Sequence, residues 1–246
     1  MKTTEVSTLG ATSKAARMAG ALYLIYIVLT IVANGLGRSG LIVWGDAATT
    51  AMNITASPWQ FRAGFVLDLA SAVLFLLTAW ALYGLLKPVN KNFALLFLLL
   101  NMVGVAVWCM SDLFLVISQL LISGPNYLSI FQADQVKALA MLSLYGYEIG
   151  SQGIAQLFFG AWLFPLGYLV FKSGFLPRIL GSILMIHCVV WLMSAIQFLL
   201  FPGLMGKAFA GITYISYPLG FISEFGLTLW LLIVGVQRQQ PALINP

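Results

Sequence analysis

The chain has 246 residues, of which 61% are hydrophobic and only 8% charged, and its net charge is +5. A soluble domain carries about 25% charged residues, and this much apolar surface in water would aggregate, so the composition excludes an ordinary water-soluble domain. The scattered cations form no basic run of the kind that binds nucleic acid, and the length suits one transmembrane domain over residues 1–246.

A helix needs about 20 apolar residues to cross the hydrocarbon core. Six stretches qualify: Ala15–Gly35, Phe61–Leu86, Ala94–Leu121, Leu142–Phe171, Leu176–Phe201 and Tyr214–Val236. None alternates with a period of two, and each is too long for a barrel strand. The expected fold is an all-α polytopic bundle, because lipid offers no partner to an unpaired backbone group. The first stretch exceeds the apolar run of a signal peptide, and no clear cleavage site follows it, so it reads as a retained span. Turn-forming residues separate the others: Lys87-Pro88-Val89-Asn90, Ser123-Gly124-Pro125-Asn126, Ser173-Gly174-Phe175-Leu176-Pro177 and Pro202-Gly203.

Charge asymmetry sets the orientation. With the N-terminus inside, Lys2, Lys14, Arg17, Lys87, Lys91, Lys172, Arg178 and Arg238 are cytoplasmic, while Arg38, Arg62, Lys137 and Lys207 are outside. Eight against four favours both ends in the cytoplasm. The outer connection Asp46–Trp59 is rich in Ala and Thr. Gln132–Ala140 reads as a short amphipathic helix feeding the fourth span. Trp44, Trp59 and Tyr127 are placed to anchor at the outer interface. Cys109 and Cys188 sit inside apolar runs and read as buried thiols.

Several segments resemble a known family. Ala16-Arg17-Met18-Ala19-Gly20-Ala21-Leu22-Tyr23-Leu24 opens the first span and Trp59-Gln60-Phe61-Arg62 the second. Ala81-Leu82-Tyr83-Gly84-Leu85-Leu86-Lys87-Pro88-Val89-Asn90-Lys91 closes the second, and WLFPLGYLVFKSGFLPRILG runs from Trp162 to Gly181. Together they resemble the bacterial domain-of-unknown-function 4386 family of multipass membrane proteins, over about Ala16 to Val236. The resemblance implies the bacterial inner membrane as location. It implies no activity, substrate or site residue.

Ionisable groups inside spans are costly and mark functional sites by default. Here they are Asp68, Asp112, Glu148, His187 and Glu224. At ~1.5 Å of rise per residue, Asp68 lies ~9 Å inward of Arg62. Glu148 has a similar depth, Asp112 falls in the outer half of its span, and His187 and Glu224 fall near the midplane. This layering predicts an outward-facing acidic cavity. Glu148, Gln152 and Gln156 are spaced four apart, with Tyr145 three before Glu148, so a regular helix would align them on one face. That stripe reads either as interhelical hydrogen bonding or as a cavity lining, and Gly146-x-x-x-Gly150 permits close helix approach. Arg62 is the cation expected near the outer acids, although a six-residue step turns it away from Asp68 and favours snorkelling to the interface. His187, the sole histidine, is expected either as a hydrogen-bonded structural group or paired with Glu224 as a midplane relay. Gln197 need not share its face. Phe164-Pro165-Leu166-Gly167-Tyr168 and Tyr217-Pro218-Leu219-Gly220-Phe221 read as kinks at unequal depths.

One histidine cannot build a multi-histidine zinc site or bis-histidine haem ligation, and the spacing signals no metal. No cofactor is expected. There is no Gly-rich phosphate loop, no nucleophile elbow and no C-x-x-C pair. Three functions remain. The first is binding or transport of a small solute, coupled to protons, through the acidic cavity. Six spans are few for a monomeric carrier, so it implies a homodimer. The second is a non-catalytic assembly or sensory subunit whose polar groups hold helices together. The third is a membrane enzyme using His187 with Glu224 or Asp112 on a lipophilic substrate.

Overall fold

The computed structural model describes residues 2–124, 126–201 and 210–236. The side chains of Lys2, Tyr127 and Tyr217, and the positions Pro125, Pro202, Gly203, Lys207 and Arg238, lie outside the described residues.

Helix α1 (Lys2–Val32) continues as a π-helical stretch, Ala33–Arg38. The first span therefore runs Ser13–Arg38, further than the apolar run alone indicates. A short α2 (Ala47–Ala56) follows. Its N-cap is Asp46, whose carboxylate accepts from the Thr49 N–H at 2.9 Å and from the Thr49 hydroxyl at 2.6 Å. Helix α3 (Pro58–Leu86) starts on a proline, where a missing N–H costs nothing. Asn90 caps α4 (Lys91–Ser123) through the N–H groups of Asn92 and Phe93, and Gly124 ends it at φ 65°.

Gln132 and Gln135 form a reciprocal cap on α5 (Ala133–Glu148). Helix α5 passes through a π-helical stretch, Ile149–Ile154, into α6 (Ala155–Lys172). The amphipathic QADQVKALA segment is thus the start of one continuous 40-residue span. At 1.5 Å per residue that is ~60 Å, about twice the hydrocarbon thickness, so its first turns stand outside the core. Helix α7 (Arg178–Leu200) begins just after Pro177. The last span comprises α8 (Ala210–Gly220), a π-helical stretch Phe221–Phe225, α9 (Gly226–Leu229) and a second π-helical stretch Trp230–Val234. Among the described residues there is no strand.

The spans form a closed ring in chain order. Helix α1 packs on α3, α3 on α4, α4 on α5 and α6, α6 on α7, and α7 on α8, while the end of the last span returns to α1. Two glycine contacts set close approaches. A Cβ on Gly167 would meet the Gly181 carbonyl oxygen at 2.7 Å, which only backbone-to-backbone packing of α6 on α7 explains. A Cβ on Gly64 would lie 3.0 Å from the Gly37 Cα, so the end of α1 lies directly on α3. The main core centres on Tyr23, Phe75, Phe97 and Trp162, with the Trp162 and Phe75 rings edge-to-face at 5.0 Å. A smaller cluster of Leu41, Ile54, Phe61, Leu115, Leu144 and Tyr147 packs beneath α2. Outward residues such as Ile31, Trp80, Met110, Leu142 and Ile186 are each more than half exposed, as a lipid-facing surface requires. The chain is an all-α, multi-pass membrane protein with six spans.

Candidate functional site

The first polar cluster forms where the end of α1 meets α3. The Gly37–Gly64 contact brings the backbones together, and Asp68 lies one turn beyond Gly64 on the same face. Arg38 is thereby carried inside, where its side chain is 5% exposed, and Asp68 is fully buried. Arg38 Nη1 donates to Asp68 Oδ2, and Nη2 donates to Asn34 Oδ1 at 2.7 Å. Tyr147 completes the group: its hydroxyl donates to Asp68 Oδ2 at 3.4 Å, and its ring lies 5.2 Å from the Arg38 guanidinium. Asp112, from α4, is 1% exposed and lies within electrostatic range of both Asp68 and Arg38. Among the described residues neither Asp112 oxygen has a hydrogen-bond partner, and Asp68 Oδ1 has none. Two buried carboxyl groups therefore share one guanidinium, and the half-buried Glu148 is also within electrostatic range of it. Among the described residues, neutrality of Asp68, Asp112 and Arg38 needs one more positive charge, which is a proton on a carboxyl or a bound small cation.

The second cluster lies near the midplane. Ser216, Gly220, Ser223 and Glu224 follow one another at helical spacing along the last span and face α7. Gly220 leaves room for the imidazole, since a Cβ there would lie 3.0 Å from His187 Cε1. His187 is fully buried, with Ser223 Oγ 3.2 Å from Nδ1 and Ser216 Oγ 3.4 Å from Nε2. Glu224 Oε1 lies 3.6 Å from His187 Nδ1, and Tyr23 of α1 donates to Glu224 Oε2 at 2.5 Å. This site ties the last span to α7 and α1 and, among the described residues, contains no lysine or arginine.

The eight candidate residues do not line one cavity. Asp68 and Asp112 belong to the first cluster, His187 and Glu224 to the second. Glu148 is half-buried, within electrostatic range of Arg38 but not hydrogen-bonded to it. The expected stripe is broken. The π-helical stretch Ile149–Ile154 inserts a wide turn, so Gln152 is exposed, while Gln156 turns inward, donates to the Ser151 carbonyl at 2.9 Å and accepts from Trp191 Nε1 at 3.0 Å. Arg62 is not the cation of the acid cluster. It is exposed, its guanidinium lies 5.3 Å from the Trp59 ring, and it abuts Gln119. A cleft of about 940 Å³ lies between α2, the end of α4 and the start of α5, and another of about 500 Å³ lies between α4 and the π-helical stretch after α5. None of the eight residues lines either cleft.

Arg38, Asn34, Tyr147 and Tyr23 were not among the eight. A signal for three of them was present, because Tyr23, Tyr26, Thr30, Asn34 and Arg38 recur at steps of three or four along the first span. Three of the four π-helical stretches among the described residues coincide with the polar groups: Asn34 and Arg38 lie in Ala33–Arg38, Ser151 in Ile149–Ile154, and Ser223 and Glu224 in Phe221–Phe225. Such wide turns are frequent at functional sites. Cys109 and Cys188 are free thiols.

A ring of six spans with two buried acid clusters defines a polytopic membrane protein that carries ionisable groups in its interior. Residues 18–235 match the family described as domain of unknown function (DUF4386), and the chain belongs to that family. It is also similar to an uncharacterized protein of the archaeon Archaeoglobus fulgidus, at 27% identity over 163 residues, covering 66% of this chain and 78% of the relative. No solved structure matches.

Proposed function

We propose that the chain is a proton-coupled carrier for a small solute, with Asp112 as the group that takes up the proton beside the Arg38–Asp68 pair. One observation carries this reading: Asp112 is 1% exposed and neither of its carboxyl oxygens is hydrogen-bonded among the described residues. Placing an aspartate in a membrane interior costs about 3 kcal/mol on insertion scales. A residue whose only role is to hold helices together recovers part of that cost through a bond to a neighbouring span, and Asp112 makes none. A group that alternates between protonated and ionised states has a reason to stay unpaired. The protein sits in a bacterial cell membrane as a homodimer, with both ends in the cytoplasm.

Proton movement in proteoliposomes tests the reading. A potassium diffusion potential drives it and an entrapped pH-sensitive dye reports it, with and without a panel of small charged and neutral solutes. Wild-type protein is expected to move protons above the empty-vesicle background, and Asp112→Asn to fall to that background. Wild-type protein at background under every condition overturns the proposal.

A second reading, a non-catalytic assembly or sensory subunit, draws on the bonds that do join different spans. Arg38–Asp68, Tyr23–Glu224 and Trp191–Gln156 are of this kind. Arg38→Met separates the two, since loss of folding without any proton movement in the wild type favours assembly. The enzyme reading has the least support, because His187 is fully buried and offers no opening to a lipophilic substrate.

A further inference from the structure

Around the outer acids, four buried oxygens have no hydrogen-bond partner among the described residues: Asp68 Oδ1, both carboxyl oxygens of Asp112, and Ser151 Oγ. Their three residues are each 2% exposed or less. Packing brings them to one level of the bundle. On the π-helical stretch after α5, Gly150 lies so close to α4 that a Cβ there would collide with the Ser111 hydroxyl. Ser151 and Asp112 are the next residues on the two sides of that contact, and both are buried. Ser151 follows Tyr147 by four residues, and its hydroxyl lies beside the Tyr147 hydroxyl. The Tyr147 hydroxyl in turn reaches Asp68 Oδ2 at 3.4 Å. Arg38 also approaches Asp68 through Oδ2, which leaves Oδ1 free. Phe61, Leu115, Leu144 and Tyr147 pack together, so α3, α4 and α5 converge here.

We infer that these four oxygens bind a sodium ion, with Asp112 as its principal ligand. The inference shares Asp112 with the proton-coupled reading and goes beyond it, since the ion can bind whether or not the chain moves protons. Oxygen ligands suit a hard cation. A proton shared between Asp112 and Asp68 engages two of the four oxygens. The other two then stay buried without a partner, which is costly. A cation that takes several oxygens at once engages all four. Charge sets the valence: Asp68, Asp112 and Arg38 together carry a single negative charge, which one monovalent ion neutralises. A divalent ion calls for a further carboxylate, and no set of three His, Cys, Asp or Glu side chains that could hold a metal ion is found among the described residues. Ser151 lies in a wide π-helical turn, and interrupted membrane helices supply ion ligands in transporters. Sodium and a proton compete for Asp112. Arg38, Asp68, Tyr147 and Cys109 lie within electrostatic range of it, and Glu148 within range of Arg38.

Equilibrium binding of radioactive sodium to the full chain in nanodiscs, read by scintillation proximity, tests the site. Wild-type protein is expected to bind one ion per chain, saturably. Binding is expected to weaken by up to about tenfold per unit as the pH falls, because one proton competes. Asp112→Asn keeps the shape, removes the charge and is expected to abolish binding. Ser151→Ala is expected to weaken it by at least about tenfold, since even groups outside the ligand shell are worth that much. Asp134→Asn, at an exposed acid on α5, is expected to leave it unchanged. Should Asp112→Asn fail to fold, Ser151→Ala and the pH series still decide. No saturable binding, binding unaltered by Asp112→Asn or Ser151→Ala, or displacement by calcium at lower concentration than by unlabelled sodium overturns the site. Sodium binding with proton movement at background overturns the proposed function and leaves the site. Proton movement without sodium binding overturns the site alone.

Discussion

The two acid clusters solve the same problem in opposite ways. Around Asp68 a fixed cation is brought into the membrane: Arg38 is pulled inside by the Gly37–Gly64 contact and pairs directly with the carboxylate. Around Glu224 there is no lysine or arginine among the described residues, and the carboxyl group is held by the Tyr23 hydroxyl and faces an imidazole that two serines hold in place. The difference matters because a guanidinium is charged at every physiological pH, whereas Tyr, Ser and neutral His supply only dipoles. The first cluster can keep one acid ionised permanently and still carry a second, Asp112, whose charge is free to change. The second cluster has a single acid, and its charge balance changes whenever a proton arrives or leaves.

Removing the fixed cation is the most severe way to test this contrast. Arg38→Met leaves Asp68 and Asp112 buried without a counter-charge, and breaking a buried pair by deleting one partner costs about 3–5 kcal/mol. Unfolding in detergent micelles, followed by circular dichroism, is expected to show that loss. Arg38→Met combined with Asp68→Leu is expected to recover most of it, because both members of the pair are removed and the one acid left, Asp112, is neutralised by a proton. The second cluster is expected to respond less. Tyr23→Phe deletes one neutral donor to Glu224, at a cost of about 1–3 kcal/mol for the unsatisfied oxygen. If Tyr23→Phe destabilises as much as Arg38→Met, the proposed division between charge-held and dipole-held acids is wrong.

How far these clusters were legible in the sequence depended on whether the helices stayed regular. Six apolar runs correspond to six spans, with only the fourth extending well beyond its run, because a 20-residue apolar stretch has few alternatives. Matching depths leave His187 either a hydrogen-bonded structural group or a partner of Glu224; it lies 3.6 Å from Glu224 and within hydrogen-bond distance of Ser216 and Ser223. Arg38 does not read as a buried group, because Asn34-Gly35-Leu36-Gly37-Arg38 reads as the end of a helix. The chain instead widens into a π-helical turn that keeps Arg38 inside. The Glu148–Gln152–Gln156 stripe is broken for the same reason: the 3.6-residue turn of a regular helix does not hold across Ile149–Ile154, where the turn is wider. Within that wide turn Gly150 lies against Ser111 on α4, a long-range contact that the spacing of the polar residues does not show.

The smallest expected effect concerns the cover over the first cluster. Helix α2 inserts Ile54 into the apolar group that includes Tyr147, and Asp46 is the cap that starts α2. Asp46 is exposed, and its carboxyl is held below the ordinary range by the Thr49 hydroxyl and then by the Thr49 N–H. A group whose folded pKa is depressed stabilises the folded state above the unfolded value, and that contribution disappears as pH falls through the folded value. The cap is thus intact at neutral pH and is lost only in acid, below the usual carboxylate range. Asp46→Ala is expected to raise amide hydrogen exchange in α2 at neutral pH, with exchange around Tyr23 and Glu224 unchanged. The difference between variant and wild type is expected to shrink as the pH is lowered. If Asp46→Ala loosens α2 and the Glu224 region equally, the two clusters are not the separate units that their different counter-charges imply.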